Sequence, residues 1–246
     1  MSATYESGSA LAEYLAFHYL EPRELLPRGR STPFGLRNFP AACARLLFSE
    51  AKRRRIRPRR ALDLGCAVGR ASFELSRKVP AVLAIDSSKT FIAAAKKLAT
   101  RGLCSFRLNE EGHRTRPVRI VAPAQKIRGR VSFGTGDALR LPRLAPFDLV
   151  LAANLLDRVK DPQRLLQKVL PGLVRPGGLL LLTSPYTWSK AFTPSSRWLR
   201  NSFFATRRLL APHFRLLRRQ DLPFLLREHR RKFQLTFADA TLWLRV

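Results

Sequence analysis

Ten residues, Ala61-Leu62-Asp63-Leu64-Gly65-Cys66-Ala67-Val68-Gly69-Arg70, constrain the fold more than any other part of this chain. The apolar run into Leu64 suits a strand covered on both faces, and the glycines that follow predict a tight turn opening into a helix. A turn of this kind lets a nucleoside cofactor reach main chain, because Gly65 and Gly69 carry no side chain to block it. Beyond it the pattern continues as alternating short apolar runs and helical stretches. That alternation predicts an α/β fold with a largely parallel sheet and right-handed crossovers.

The spacing Asp-x-Gly-x-Ala-x-Gly departs from the Gly-x-Gly-x-x-Gly of dinucleotide enzymes, so it implies no pyrophosphate site. It resembles instead the first motif of the class I methyltransferases that use S-adenosylmethionine. The resemblance implies a Rossmann-like, doubly wound sheet of seven strands with S-adenosylmethionine as cofactor. It places Asp63, Gly65, Cys66 and Gly69 around the cofactor's methionine end. Asp86, closing the apolar run Ala81-Val82-Leu83-Ala84-Ile85, stands where such folds grip a ribose diol. Ser87 follows it and is predicted to cap the helix through Ala94–Ala99. Asp137 and Ala138, after the strand-like Arg130-Val131-Ser132-Phe133, stand where methyltransferases meet the adenine amino group. The strand Phe147–Ala153 ends in Asn154-Leu155-Leu156-Asp157-Arg158, at the sheet edge where chemistry is expected.

Composition limits the other classes. A chain of 246 residues with 46% hydrophobic content fits one domain, 1–246, with a helical cap over 1–58 and the core over 59–246. The three cysteines, Cys43, Cys66 and Cys104, are widely spaced, which argues against a disulfide framework and against a zinc site and suits a reducing compartment. No metal is expected. No apolar run is long enough to span a bilayer, and Glu6 and Glu13 interrupt any secretion-signal pattern, so a cytoplasmic location without membrane contact is expected. The net charge of +29 invites a rival reading as an RNA-binding methyltransferase or a basic nucleic-acid-binding protein. The basic residues are scattered, apart from Lys52-Arg53-Arg54-Arg55 with Arg57, Arg59 and Arg60, and 36 of the 46 are arginine. A solvated surface, with nucleic acid bound only through non-specific charge, is the simpler reading.

Further along, residues 103–130 are polar and basic, broken by Gly112, Pro117, Pro123 and Gly129, and read as an insertion or lid. A helix is predicted over Pro162–Val174 with Pro176-Gly177-Gly178 as its stop, then a strand at Leu179–Leu182. A basic helical stretch runs to Leu210. The tail Ala240–Val246 is expected to pair as an antiparallel edge strand. Tyr14 and His18 lie one turn apart on one face of a helix that precedes the core.

Several stretches together are similar to one family, the 4-mercaptohistidine N1-methyltransferase of ovothiol biosynthesis. They are Glu13-Tyr14-Leu15-Ala16-Phe17-His18-Tyr19, Asn38-Phe39-Pro40, Leu62 to Arg70, Phe73-Glu74-Leu75-Ser76-Arg77, Asp148 to Arg158, Thr183-Ser184-Pro185-Tyr186-Thr187-Trp188 and Asp221 to His229 with Arg231-Lys232-Phe233-Gln234. The likeness spans nearly the whole chain; its departures are a low acidic complement and the basic Arg140 after Asp137-Ala138-Leu139. The resemblance implies methylation of an imidazole nitrogen of 5-thiohistidine, giving ovothiol A. The iron-dependent sulfoxide-synthase portion of fused members has no counterpart here, so a separate synthase is the expected functional partner. Asn154 and Asp157 are then candidates to meet the substrate's amino group or ring N–H. Tyr186 and Trp188 could stack on the imidazole, Arg227 could pair with the carboxylate, and Tyr14 and His18 could close the pocket. A general base is not demanded, though Asp157 or His18 could assist. Structural roles stay open beside these: a core position for Trp188, core or surface positions for His18 and His229, and a salt bridge for Arg227.

Overall fold

The computed structural model describes residues 5–27 and 29–246. Among the described residues nine strands form in chain order: β1 Arg60–Leu64, β2 Ala81–Asp86, β3 Leu103–Glu111, β4 Arg114–Val121, β5 Val131–Thr135, β6 Phe147–Ala153, β7 Val174–Ser184, β8 Phe214–His229 and β9 Lys232–Arg245. Seven of them build one sheet in the order β5-β2-β1-β6-β7-β9-β8. The pairs from β5 to β7 are parallel, and β9 is antiparallel to both β7 and β8. The doubly wound α/β fold expected of the chain is therefore the one observed.

Burial explains the strand order. Residues 61–64 of β1 and 147–152 of β6 are buried at every position, as strands covered on both faces must be. One face packs against helices Gly8–Tyr19, Phe39–Arg53, Arg70–Ser76 and Lys89–Arg101, and the other against the segments 162–173 and Ser202–Leu210. Asn38 joins the two leading helices. Its side-chain Oδ1 accepts from Ala41 N at 3.1 Å as an N-cap, and its Nδ2 donates to His18 O at 2.8 Å.

Three local expectations need correction, and the insertion over 103–130 takes a definite form. The helix after β2 spans Lys89–Arg101, and its cap is Ser88 rather than Ser87, because Asp86 Oδ1 accepts from Ser88 N and turns the Ser88 hydroxyl onto Phe91 N. Residues 103–130 form an ordered antiparallel hairpin, β3–β4, plus the short helix Gln125–Arg128, with Cys104, Leu108, Val118 and Ile120 buried. Pro176-Gly177-Gly178 lies inside β7: Phe147 pairs with Val174 and Leu149 with Leu179, so the residues between form a bulge. Gly178 fits there because a Cβ would come 3.0 Å from Asp148 O. Finally, the C-terminal strand is interior. Residues 238–243 of β9 are buried throughout, and the edge is β8, which sequence reading left unassigned.

The register also shows how the last hairpin extends beyond the sheet. Ser184, the last residue of β7, pairs with Asp239, which pairs with Asp221. The β8–β9 hairpin therefore runs on past the C-terminal ends of the parallel strands. There Arg227 and the Arg230 amide bind the tip of β3, and Phe224 meets Phe17 and Phe39 of the cap.

Candidate active site

The turn after β1 holds left-handed backbone at three of its five residues. Gly65 and Gly69 hold φ of +79° and +84°, and Ala67 holds +45° without a glycine's freedom. A Cβ on Gly69 would stand 2.7 Å from the Phe133 ring, and one on Gly65 3.1 Å from Leu155. Asp86 braces this turn: its Oδ2 accepts from Ala67 N at 2.8 Å and its Oδ1 from Ser88 N at 2.9 Å. Burial raises the Asp86 carboxyl, against the pull of those amides. The next loop joins here too, since Gly136 N donates to Asp86 O at 2.9 Å. Asp137 is exposed and accepts from Leu139 N at 2.9 Å, while Ala138 is buried beside it. Ser87 is exposed.

Asp63 is 1% exposed beneath the turn, with Ser72 Oγ donating to its Oδ2 at 2.6 Å. Burial pushes its carboxyl up to about 7, the Ser72 bond opposing. Cys66 is buried with a raised thiol, chiefly from desolvation. Tyr19 Oη donates to Val68 O at 2.8 Å, which ties the helix carrying His18 to the turn. Burial, with the Arg70 charge adding to it, lowers the His18 imidazole to about 3. A group so far below neutral pH is a poor proton acceptor, which counts against His18 as a general base.

Beyond β6 and β7 a second group assembles. Asn154 takes φ +50°, and its Oδ1 accepts from Thr183 Oγ1 at 2.8 Å. Asp157 is fully buried, accepting from Arg158 Nη1 at 2.8 Å and Ser184 Oγ at 3.2 Å. Burial raises its carboxyl, with Arg158 opposing. Tyr186, at φ +54°, donates its N–H to Ser184 Oγ at 3.0 Å and its hydroxyl to Asp239 Oδ2 at 3.0 Å. Asp239 accepts in turn from Arg219 Nε at 2.9 Å. Thus Arg158, Asp157, Ser184, Tyr186, Asp239 and Arg219 form one connected polar chain. Tyr14 meets this edge through Tyr5, ring centroids 5.6 Å apart, and Tyr5 Oη accepts from Arg158 Nε at 3.2 Å.

Two expected substrate residues do not join it. Arg227 is 3% exposed, and its guanidinium donates to Asn109 O at 2.6 Å and Glu110 Oε1 at 2.8 Å. Both sides of its fork are occupied, so it fastens the two hairpins rather than receiving a carboxylate. Trp188 packs into the core on the Ser202–Leu210 side, its indole N–H on Ser202 Oγ at 3.1 Å. Sequence reading missed Tyr5, Ser184, Arg219 and Asp239. A single acid inside the apolar run Ala238–Leu244 was the one available signal for Asp239.

A strained glycine turn after β1, an acid closing β2 and polar loops beyond β6 and β7 define a class I methyltransferase site. The chain belongs to the methyltransferase domain family, which it matches over residues 36–231. Its fold is similar to that of magnesium protoporphyrin IX methyltransferase (ChlM) from Synechocystis PCC 6803 with bound S-adenosylmethionine, at TM-score 0.62 and 13% identity over 100% of this chain and 95% of that one. It is also similar to N-methyltransferase NodS from Bradyrhizobium japonicum WM9 with S-adenosylhomocysteine, at TM-score 0.55 and 15% identity over 97% and 98%. No curated protein matches the chain. The protein is an S-adenosylmethionine-dependent methyltransferase. Its own residues fit that cofactor: the turn holds left-handed φ at Gly65, Ala67 and Gly69, the two glycines packed under Leu155 and Phe133, and buried acids stand at Asp63 and Asp86. No helix among the described residues is long and apolar enough to cross a membrane.

Proposed function

We propose that this methyltransferase acts on an imidazole ring nitrogen of 5-thiohistidine, giving ovothiol A. The observation that carries the reading is convergence. The stretches similar to the ovothiol family come from seven parts of the chain, and Tyr14, Asn154, Asp157, Ser184 and Tyr186 from three of them meet at the C-terminal edge of the sheet through the contacts above. Bound S-adenosylmethionine supplies a methyl group already activated by its sulfonium. The chain's task is to orient the nucleophile and exclude water.

In this reading Asp63, Gly65, Cys66 and Gly69 border the methionine end, Asp86 with Ser87 the ribose, and Asp137 with Ala138 the adenine. Asn154 borders cofactor and substrate together. The soft sulfur of a thiolated ring competes with its nitrogens, so ring orientation decides the product. Asp157 and Tyr186 supply that orientation. Tyr186 donates its proton to Asp239, which leaves the phenol oxygen as an acceptor for a ring N–H. Tyr14 and Tyr5 form the aromatic wall. A neutral imidazole needs no base before transfer, and the product proton leaves to water.

The chain acts as one domain, 1–246, in the cytoplasm, where its three buried thiols stay reduced. A sulfoxide synthase that installs sulfur on histidine is the functional partner. The test is mass spectrometry of reactions with S-adenosylmethionine and 5-thiohistidine, beside histidine and total RNA, with Asp86→Ala as control. A single methyl added to a ring nitrogen of thiohistidine alone, lost in the variant, is the expected result. Transfer to RNA alone would overturn it.

A further inference from the structure

Seven of the nine residues 52–60 are lysine or arginine, and the fold gathers more cations beside them. The run leads from the last turn of helix Phe39–Arg53 to the first residue of β1, so it lies at the N-terminal edge of the parallel strands. Arg60 pairs with Ala81, and Val82 N donates to Arg130 O, which brings Lys78 and Arg130 to the same edge. Arg175, at the start of β7, joins through Asp148. The five residues of β1, at about 3.3 Å each, separate this edge from the glycine turn.

Runs of like charge are usually disordered tails. This one is a fixed turn. Arg55 N donates to Lys52 O at 3.0 Å, Ile56 N to Ala51 O at 2.8 Å, and the Arg59 and Arg60 amides both to Asp148 Oδ2 at 2.8 Å. Arg55 takes φ +56°, a left-handed angle that few residues other than glycine adopt. The nearby acids do not balance the charge. Glu50 and Asp148 are buried and already paired, Glu50 with Arg53 and Arg54, Asp148 with Arg175. Lys52, Arg55, Arg57 and Arg59 are exposed and make no ion pair among the described residues.

An ordered surface of unpaired cations is complementary to a polyanion of fixed shape. The rings at this edge are taken: Lys78 stands 5.2 Å over Phe48, and Arg60 4.6 Å over Phe147. Rings so occupied leave no platform for unstacked bases, which counts against single strands. Ile56, Val79, Phe147 and Val174 are not exposed either, which counts against insertion into a lipid surface. A duplex offers regularly spaced phosphates without asking for contact to a base. We propose that this edge docks the protein on the phosphate backbone of a nucleic-acid duplex, away from the methyl-transfer site and without methylating it. The docking does not depend on which small molecule is methylated.

The test is fluorescence anisotropy of short RNA and DNA duplexes across a salt series with the triple variant Lys52→Gln, Arg57→Gln, Arg59→Gln. The control triple Arg23→Gln, Arg114→Gln, Arg231→Gln removes the same charge from exposed residues of the cap and the hairpin tips. Both triples should bind S-adenosylmethionine as the parent does, which reports that they fold. The first triple should lose at least about tenfold in duplex affinity near physiological salt and flatten the log–log salt slope by about three, one per lost phosphate contact. The control should stay near the parent. Equal losses in the two triples would mean charge acting over the whole surface and overturn the proposal. So would a parent protein that does not bind duplex, tighter binding of polyglutamate or of phosphatidylserine vesicles than of duplex, or methyl transfer to the duplex.

Discussion

Replacing Asp63 by asparagine isolates one buried charge. Asparagine keeps the shape and can still accept from the Ser72 hydroxyl, which now bonds Oδ2 at 2.6 Å. The carboxyl of the folded protein is raised from 3.8 to about 7 by burial. Between those values the folded state holds a proton that the unfolded chain releases, so parent stability falls as pH rises from about 4 to about 7. Three pH units at 1.36 kcal/mol each make that loss about 4 kcal/mol. His18 acts in the opposite sense. Its imidazole is lowered from 6.5 to about 3, so its stabilising share is lost as pH falls through that range. The two slopes nearly cancel in the parent protein between about pH 4 and about pH 6.5. Asp63→Asn removes the falling limb only. Urea unfolding across this range should show the variant gaining on the parent by about 1.4 kcal/mol per pH unit, and flat outside it. A difference curve that stays level from about pH 4 to about pH 7 would refute the reasoning, because it would mean that Asp63 ionises as it does in water.

Gly69→Ala combines left-handed strain at φ +84° with a 2.7 Å approach to the Phe133 ring, and should lower stability by about 2–3 kcal/mol in thermal unfolding. Adding Phe133→Leu should restore only part, since the backbone strain remains. Arg227→Met leaves Asn109 O and Glu110 short of a donor, although Glu110 keeps Arg116 at 2.9 Å. A loss of about 2 kcal/mol with faster proteolytic cutting at residues 103–121, and no loss of affinity for S-adenosylmethionine, is expected. Asp239→Asn and Tyr186→Phe should each lower kcat and increase the fraction of S-methylated thiohistidine, read by mass spectrometry. An unchanged product ratio would remove Tyr186 from ring orientation.

Much of the geometry around the glycine turn was legible because its constraints are local. The turn at Gly65–Gly69 needs backbone angles that only a few residues tolerate, and an acid at the end of an apolar run is visible without any partner. The doubly wound fold followed from the alternation of strands and helices for the same reason. The group beyond β6 and β7 was legible only as residue types. Arg227 carries the chemistry of a carboxylate receptor, yet its partner Glu110 stands 117 residues away, on an insertion whose folding could not be foreseen from its polar, proline-broken composition. Asp239 showed only as an acid in an apolar run, because its register against Ser184 depends on β9 lying inside the sheet, with β8 at the edge. A residue's role at this site is thus decided by strand order more than by its own chemistry. It follows that the hairpin β8–β9, which carries Arg219, Arg227 and Asp239 together, links the site to the cap: a change that loosens its grip on β3 will reach Tyr186 through Asp239 before it reaches the glycine turn.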